Sequence, residues 1–222
     1  MQDLYRKCST NAYILKCDVR KYFASIDKEI LKDILSAKIK DKDVFVLIKK
    51  IIDSYNVSST KGLPIGNQTS QWFALFYLDK IDRLIKEKLR IKYYTRYMDD
   101  MILLHESKDY LKYCLKEMKK LAEELKLGFN EKTQIFPVKN GVDYLGFRFY
   151  LTDTGKVIRR LRTSSKKRFK RRLKKFTKYY NEYKIGLLEI TRSIASYKGH
   201  LKHGHIYKLK KKNFSNFVLT QK

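Results

Sequence analysis

Tyr93-Tyr-Thr-Arg-Tyr-Met-Asp-Asp-Met-Ile-Leu-Leu104 sets two adjacent carboxylates, Asp99 and Asp100, between runs of aromatic and aliphatic residues. β-branched and aromatic side chains favour strand, and a polar pair interrupting them marks a tight turn. The stretch therefore predicts a β-hairpin with Met98 to Asp100 at its bend. Two neighbouring anions at a hairpin tip repel each other unless a cation stands between them, and hard oxygen ligands suit Mg²⁺. An ordinary turn that happens to contain aspartate reads the same way, so the decision rests on a third carboxylate elsewhere.

Upstream, Tyr13, Leu15, Cys17 and Val19 alternate with Ile14, Lys16 and Asp18, the period of a half-buried strand. Asp18 leaves that strand on the side opposite Cys17 and Val19. If strand and hairpin are neighbours in one sheet, Asp18, Asp99 and Asp100 converge. Such a cluster suits two Mg²⁺ ions about 3.5–4 Å apart, one for an attacking hydroxyl and one for a leaving phosphate oxygen. Phosphoryl transfer on a polynucleotide follows, but spacing alone does not separate polymerase from nuclease.

Between strand and hairpin, Asp27 and Asp41 are N-caps for two scaffold helices. The first carries Ile30, Leu31, Ile34 and Leu35 at helical spacing; the second places Val44, Phe45, Leu47, Ile48, Ile51 and Ile52 on its buried side. Gly62-Leu-Pro-Ile-Gly-Asn-Gln-Thr-Ser-Gln71 then leads into a long helix expected from Gln68 to about Leu89. Its glycines admit close approach of a ligand, and amides at a helix start favour a phosphate or a base pair. A plain loop-to-helix junction gives the same pattern, and the Gly-Lys-Ser/Thr ending of a P-loop is lacking.

Beyond the hairpin, Ser107 caps a helix with a Met and Leu stripe that Gly128 ends. Strands are expected at Gln134 to Val138, after an Asn140-Gly141 turn at Val142 to Tyr150, and after a turn at Asp153 to Gly155 up to Leu161. The order βαα(loop)αββαβββ, with grouped helices and a mixed sheet, points to the α+β class.

The 222-residue chain carries 51 Lys and Arg against 23 Asp and Glu, a net +28. Residues 156 to 222 hold 22 of those bases and only Glu182 and Glu189, a net +20 that leaves +8 for the rest. A field of that sign attracts nucleic acid. In this tail Ser164 or Ser165 caps a basic helix with a Phe169, Leu173, Phe176, Tyr180 and Tyr183 stripe, ended by Gly186. A second helix runs from about Leu188 to Tyr197. Arg168, Arg171, Arg172 and Lys175 are the expected backbone contacts, although a charge run is often only a solvated face. His200, His203 and His205 have no Cys or carboxylate close by in sequence to complete a zinc site. Three widely spaced cysteines, Cys8, Cys17 and Cys114, imply a reducing compartment, and the longest apolar run, Trp72 to Leu78, is too short for a membrane span. A cytoplasmic protein with no membrane partner is expected.

Five ordered motifs resemble reverse transcriptases. Leu15-Lys-Cys-Asp-Val-Arg-Lys-Tyr-Phe-Ala-Ser-Ile26, the GLPIGNQTSQ stretch and the YMDD hairpin look like palm motifs, and so do Leu127-Gly-Phe-Asn-Glu-Lys132 and Tyr144-Leu-Gly-Phe147. Ser196-Tyr-Lys-Gly-His-Leu-Lys-His-Gly204 looks like the thumb of bacterial members. The resemblance implies a palm over residues 1–160 and a basic helical thumb over residues 161–222. It implies an RNA-directed DNA polymerase acting on an RNA template, a DNA or RNA primer and dNTPs with two Mg²⁺ ions. Asp18, Asp99 and Asp100 would be catalytic and, with the Val19 carbonyl, hold the metals. Phe23 would be the gate against a ribose 2′-hydroxyl, and Lys132 the proton donor to pyrophosphate. Ile65, Gly66, Gln71 and Tyr97 would line the nucleotide pocket, and Leu145, Gly146 and Phe147 would grip the primer.

Ile65 before Gly66, with Ser70-Gln71 after it, is most similar to reverse transcriptases of diversity-generating retroelements, which copy adenine with errors beside a small basic accessory protein. A phage-defence enzyme of abortive-infection type and a non-catalytic RNA-binding remnant are the alternatives. The family's fingers region precedes the palm strand, and here only about a dozen residues do. Fingers are therefore expected from a missing N-terminal stretch or from another chain.

Overall fold

The computed structural model describes residues 12–55, 59–64, 66–152 and 154–205; Cys8, Ile65, Asp153 and the basic residues after His205 lie outside them. The chain forms two compact units, one ending at Pro137 and one beginning at Val138. The α+β class holds, but the strands make two sheets rather than one, and every pairing among them is antiparallel instead of mixed.

The first unit is built on β1 (Tyr13–Asp18), followed by α1 (Tyr22–Ser25), α2 (Lys28–Ser36), α3 (Lys42–Asp53), α4 (Gln68–Tyr77) and α5 (Asp79–Arg83). The hairpin β2 (Tyr93–Tyr97) and β3 (Asp100–His105), then α6 (Lys108–Glu124) and β4 (Gln134–Pro137), complete it. Its sheet runs β2-β3-β1-β4. β1 is thus central, and Ile14 and Leu15, on opposite faces, are both fully buried. Asp27, Asp41 and Ser107 cap α2, α3 and α6 through their side chains, as the sequence predicts.

Three local expectations are corrected. Val44 and Leu47 of α3 face solvent, because the arc through Phe45, Ile48, Ile51 and Ile52 is the one that reaches the core. The helix expected to run to Leu89 breaks at Leu78 and finishes in a π-helical turn, Leu84–Lys88. α6 is ended by Lys126, not Gly128: Lys126 takes the left-handed conformation at φ 53°, and its ammonium reaches the Asp27 carboxylate at 2.7 Å.

Tyr77 joins this core to its loops. Fully buried, it accepts from the Asp27 amide at 3.3 Å and donates to the Leu125 carbonyl at 2.7 Å. Its burial raises the phenol pKa to about 12. Tyr77→Phe leaves both backbone groups buried and unsatisfied, so a stability loss of about 1–3 kcal/mol is expected in chemical denaturation. An unchanged midpoint would show that these bonds contribute nothing.

The second unit pairs β5 (Val142–Tyr144), β6 (Phe147–Leu151) and β7 (Val157–Leu161) with the helices α7 (Thr163–Asn181) and α8 (Leu187–Leu201). The strand expected from Val142 to Tyr150 is instead a hairpin turning at Leu145 (φ 47°) and Gly146 (φ 83°). Two left-handed residues match the twist of paired strands and close the shortest turn. Asn140-Gly141 makes no hairpin, because β4 pairs with β1 and Val138–Asn140 forms a 3₁₀ turn. α7 starts one residue before the expected caps, with no side-chain cap at Arg162, and left-handed Tyr183 follows its end in place of Gly186. Phe169, Leu173 and Phe176 form the expected buried stripe with Ile190 of α8, whereas Tyr183 is 82% exposed. No helix among the described residues is long and apolar enough to cross a membrane.

Candidate active site

The register of β1 against β3 sets Asp18 directly opposite Asp100, and the pair Tyr97 with Asp100 closes the hairpin over Met98 and Asp99. Met98 sits at φ 53°, which a non-glycine side chain adopts only when its surroundings hold it. Arg96 does the holding. Its guanidinium donates to the Met98 carbonyl at 3.0 Å and to Asp82 of α5 through Nε at 2.8 Å and through Nη2. The Tyr94 hydroxyl donates to the same carboxylate at 2.5 Å. Neither Arg96 nor Asp82 was singled out from sequence, since nothing in their spacing links a helix residue to the hairpin.

Charge at the tip is uncompensated in part. Burial, followed by the Asp18 carboxylate, pushes the Asp99 pKa up, and its own backbone amide only partly counters this. Burial raises Asp100 as well; Lys16, 3.4 Å away, pulls it down, while Asp18 and Asp99 push it up. The other Asp100 oxygen, Oδ1, is buried with no hydrogen-bond partner among the described residues. Among the described residues no three His, Cys, Asp or Glu side chains are gathered around one point. The donor set still fits a hard divalent cation: all donors are oxygens, one is an orphaned buried oxygen, and the carboxylates repel.

The Leu127 to Lys132 stretch is tied to the same strand end. Asn130 donates its amide to the Asp18 carbonyl at 2.7 Å, and Arg20 donates to the Gly128 carbonyl at 2.8 Å, bridging Val19 to Phe129. That bridge uses the groups on either side of Val19 and not the Val19 carbonyl itself. Asn130 also reaches Asp18 Oδ2 with Nδ2 at 3.4 Å and accepts from the Lys132 amide at 3.1 Å. Lys132 is exposed beside it. Asn130 and Lys16 are site residues the sequence reading missed; an asparagine two residues before the lysine was the available signal.

Phe23 is half-buried against the core, and its carbonyl accepts from the Leu63 amide at 2.9 Å, linking α1 to the glycine loop. In that loop Gly62 takes φ 98°, and the exposed Gly66 takes φ 99°. Gln71, in the first turn of α4, and Tyr97 are exposed. Ile65 lies outside the described residues.

In the second unit, Leu145 is exposed at the β5–β6 turn while Phe147 is buried, its ring 4.9 Å from that of His200. His205 exchanges two bonds with Arg159, its amide donating to the carbonyl at 2.8 Å and its Nδ1 accepting at 3.1 Å. Arg168, Arg171, Arg172 and Lys175 are exposed, at the i, i+3, i+4, i+7 spacing of one helix face.

The first unit is thus an antiparallel sheet with packed helices that sets a strand aspartate opposite a two-aspartate hairpin. Residues 2–149 match the family model for reverse transcriptase (RNA-dependent DNA polymerase). The match covers more than half of the chain, which therefore belongs to that family. A COX1/OXI3 intron 2 protein of Saccharomyces cerevisiae is 27% identical over 95 residues, 40% of this chain and 11% of that protein. Apo telomerase from Candida tropicalis shares the fold with a TM-score of 0.51 at 16% identity over 67% of this chain and 33% of that one. Telomerase from Candida albicans, solved with a fragment of telomeric RNA, gives 0.52 at 14% identity over 93% and 43%. The chain thus spans less than half the length of the relatives it matches.

Proposed function

We propose that this chain is the palm (residues 1–160) and thumb (residues 161–222) of an RNA-directed DNA polymerase. The observation that carries the reading is Asp18 facing Asp100 across β1 and β3 with Asp99 at the adjoining bend, inside a stretch that matches the family. The primer 3′-oxygen attacks the α-phosphorus of a dNTP, a P–O bond forms, and pyrophosphate leaves. Asp18, Asp99, Asp100 and the Val19 carbonyl would hold two Mg²⁺ ions, which when bound supply the acidity and charge neutralisation of the step. Lys132 gives a proton to the departing pyrophosphate. Phe23 excludes a 2′-hydroxyl, while Ile65, Gly66, Gln71 and Tyr97 surround the nucleotide. Leu145, Gly146 and Phe147 hold the primer end, and Arg168, Arg171, Arg172 and Lys175 the nucleic-acid backbone. Free, buried Cys17 and Cys114 support a reducing, cytoplasmic setting.

The rival reading is a non-catalytic RNA-binding remnant, and the presence of Asp18, Asp99 and Asp100 argues against it. Mg²⁺-dependent incorporation of dNTP on primed RNA separates the two.

Ile65 with Ser70-Gln71 supports the diversity-generating type, with a small basic accessory protein as partner. A Gln at this place can hydrogen-bond around the nascent base pair, whereas an aliphatic side chain only packs. About 1.4 kcal/mol changes an error ratio tenfold. With a fingers region supplied to the chain, Ile65→Gln is expected to lower misincorporation opposite template adenine more than opposite other bases, read by sequencing the cDNA. An unaltered adenine error fraction would remove Ile65 from the fidelity argument.

A further inference from the structure

We propose that the outer face of the β5–β6–β7 sheet is a second RNA-backbone site, separate from the α7 face and resting on the RNA-binding part of the function above. Arg148 of β6 lies directly opposite Arg160 of β7. Like charges directly opposite each other across strands are destabilising, a repulsion that a bound anion would relieve. The nearest carboxylate is Asp143, opposite Arg148 on β5, and it is shared: 3.7 Å from Arg148 and 3.3 Å from Arg162. These groups line a cavity of about 460 Å³ together with Tyr150 and Lys166, four cations to one carboxylate.

The chemistry suits phosphates in series rather than one free anion. Planar guanidiniums take phosphate oxygens in pairs. The four cations are distributed over β6, β7 and the start of α7 instead of converging on one atom. The Arg160 guanidinium lies 5.2 Å from the Tyr150 ring centre, an aromatic surface beside the cations on which a base can stack. Arg159, the alternate residue on β7, turns to the other face against Phe147 and Phe149, which leaves Arg160 to the cavity. Arg168, Arg171, Arg172 and Lys175 do not line it.

The test is the salt dependence of binding of a fluorescent single-stranded RNA to the full chain. Each lost phosphate contact on a single strand lowers the slope of log K against log salt by about 0.7, so Arg148→Gln with Arg160→Gln should lower it by about 1.4. The RNA-free melting temperature of that variant should stay near that of wild type, the relieved repulsion offsetting the lost Arg148 contacts to Asp143 and to the Asn140 carbonyl, so weaker binding is read apart from unfolding. Arg168→Gln with Arg171→Gln provides the comparison. If only this α7 variant loses slope, the sheet site is overturned while RNA binding stands; if neither does, both fail. If millimolar inorganic phosphate stabilises wild type as much as RNA does, and the sheet variant loses that response, the site takes a free anion and the RNA assignment is overturned.

Discussion

Asp99→Asn is expected to reduce primer extension by about a thousandfold, near 4 kcal/mol of transition-state stabilisation, while the metal-free protein melts at a higher temperature than wild type. The first effect follows from removing one anionic oxygen where a metal would bind. The second follows from the site's own electrostatics. Burial and the Asp18 carboxylate raise the Asp99 pKa above its unfolded value, so the native state binds a proton more tightly than the unfolded chain does. Native stability therefore falls as pH rises from the ordinary carboxylate pKa through the raised one, and is recovered on acidification through the same window. An asparagine has no such loss. Melting curves across that window, without divalent cation, should show a shallower decline for the variant. A variant that melts lower than wild type throughout would mean that the carboxylate is structural and that its lost activity says nothing about metal.

Arg96→Met is the second large effect. Arg96 is 12% exposed and faces Asp82, 27% exposed, so removing the guanidinium strands a partly buried carboxylate. Breaking a buried pair from one side costs about 3 kcal/mol or more. The same change frees the Met98 carbonyl and the bend that carries Asp99. A displacement of about 1 Å at reacting groups can cost a hundredfold in rate, so turnover should fall by about that factor well below the melting temperature. Adding Asp82→Leu to Arg96→Met should recover part of the stability, because no charge is left unpaired although the Tyr94 hydroxyl loses its acceptor, but not the activity. Recovery of both would show that Arg96 acts on the fold alone.

How much of this was legible in the sequence depends on the range of the interaction. β1 and the hairpin could be read because their periods are local, and a bend placed at Met98 to Asp100 fixes which carboxylates meet. The caps at Asp27, Asp41 and Ser107 are local too. What failed was decided at a distance. The Asn140-Gly141 signal lost because β4 had a better partner in β1. Lys126 ended α6 in a glycine's place while its side chain reached Asp27. Arg96 with Asp82, Lys16 with Asp100 and Asn130 with Asp18 join residues 14, 84 and 112 positions apart, and no period records such pairs.

The most direct test, with a fingers region supplied to the chain, is single-nucleotide extension of a primer on an RNA template, run with Mg²⁺, with chelator, and with Asp99→Asn. The palm reading predicts incorporation of the dNTP complementary to the template base, abolished by chelator and by the substitution, with RNA binding retained in both. RNA binding without any incorporation above the Asp99→Asn level would contradict it and leave a protein that holds RNA but does not copy it.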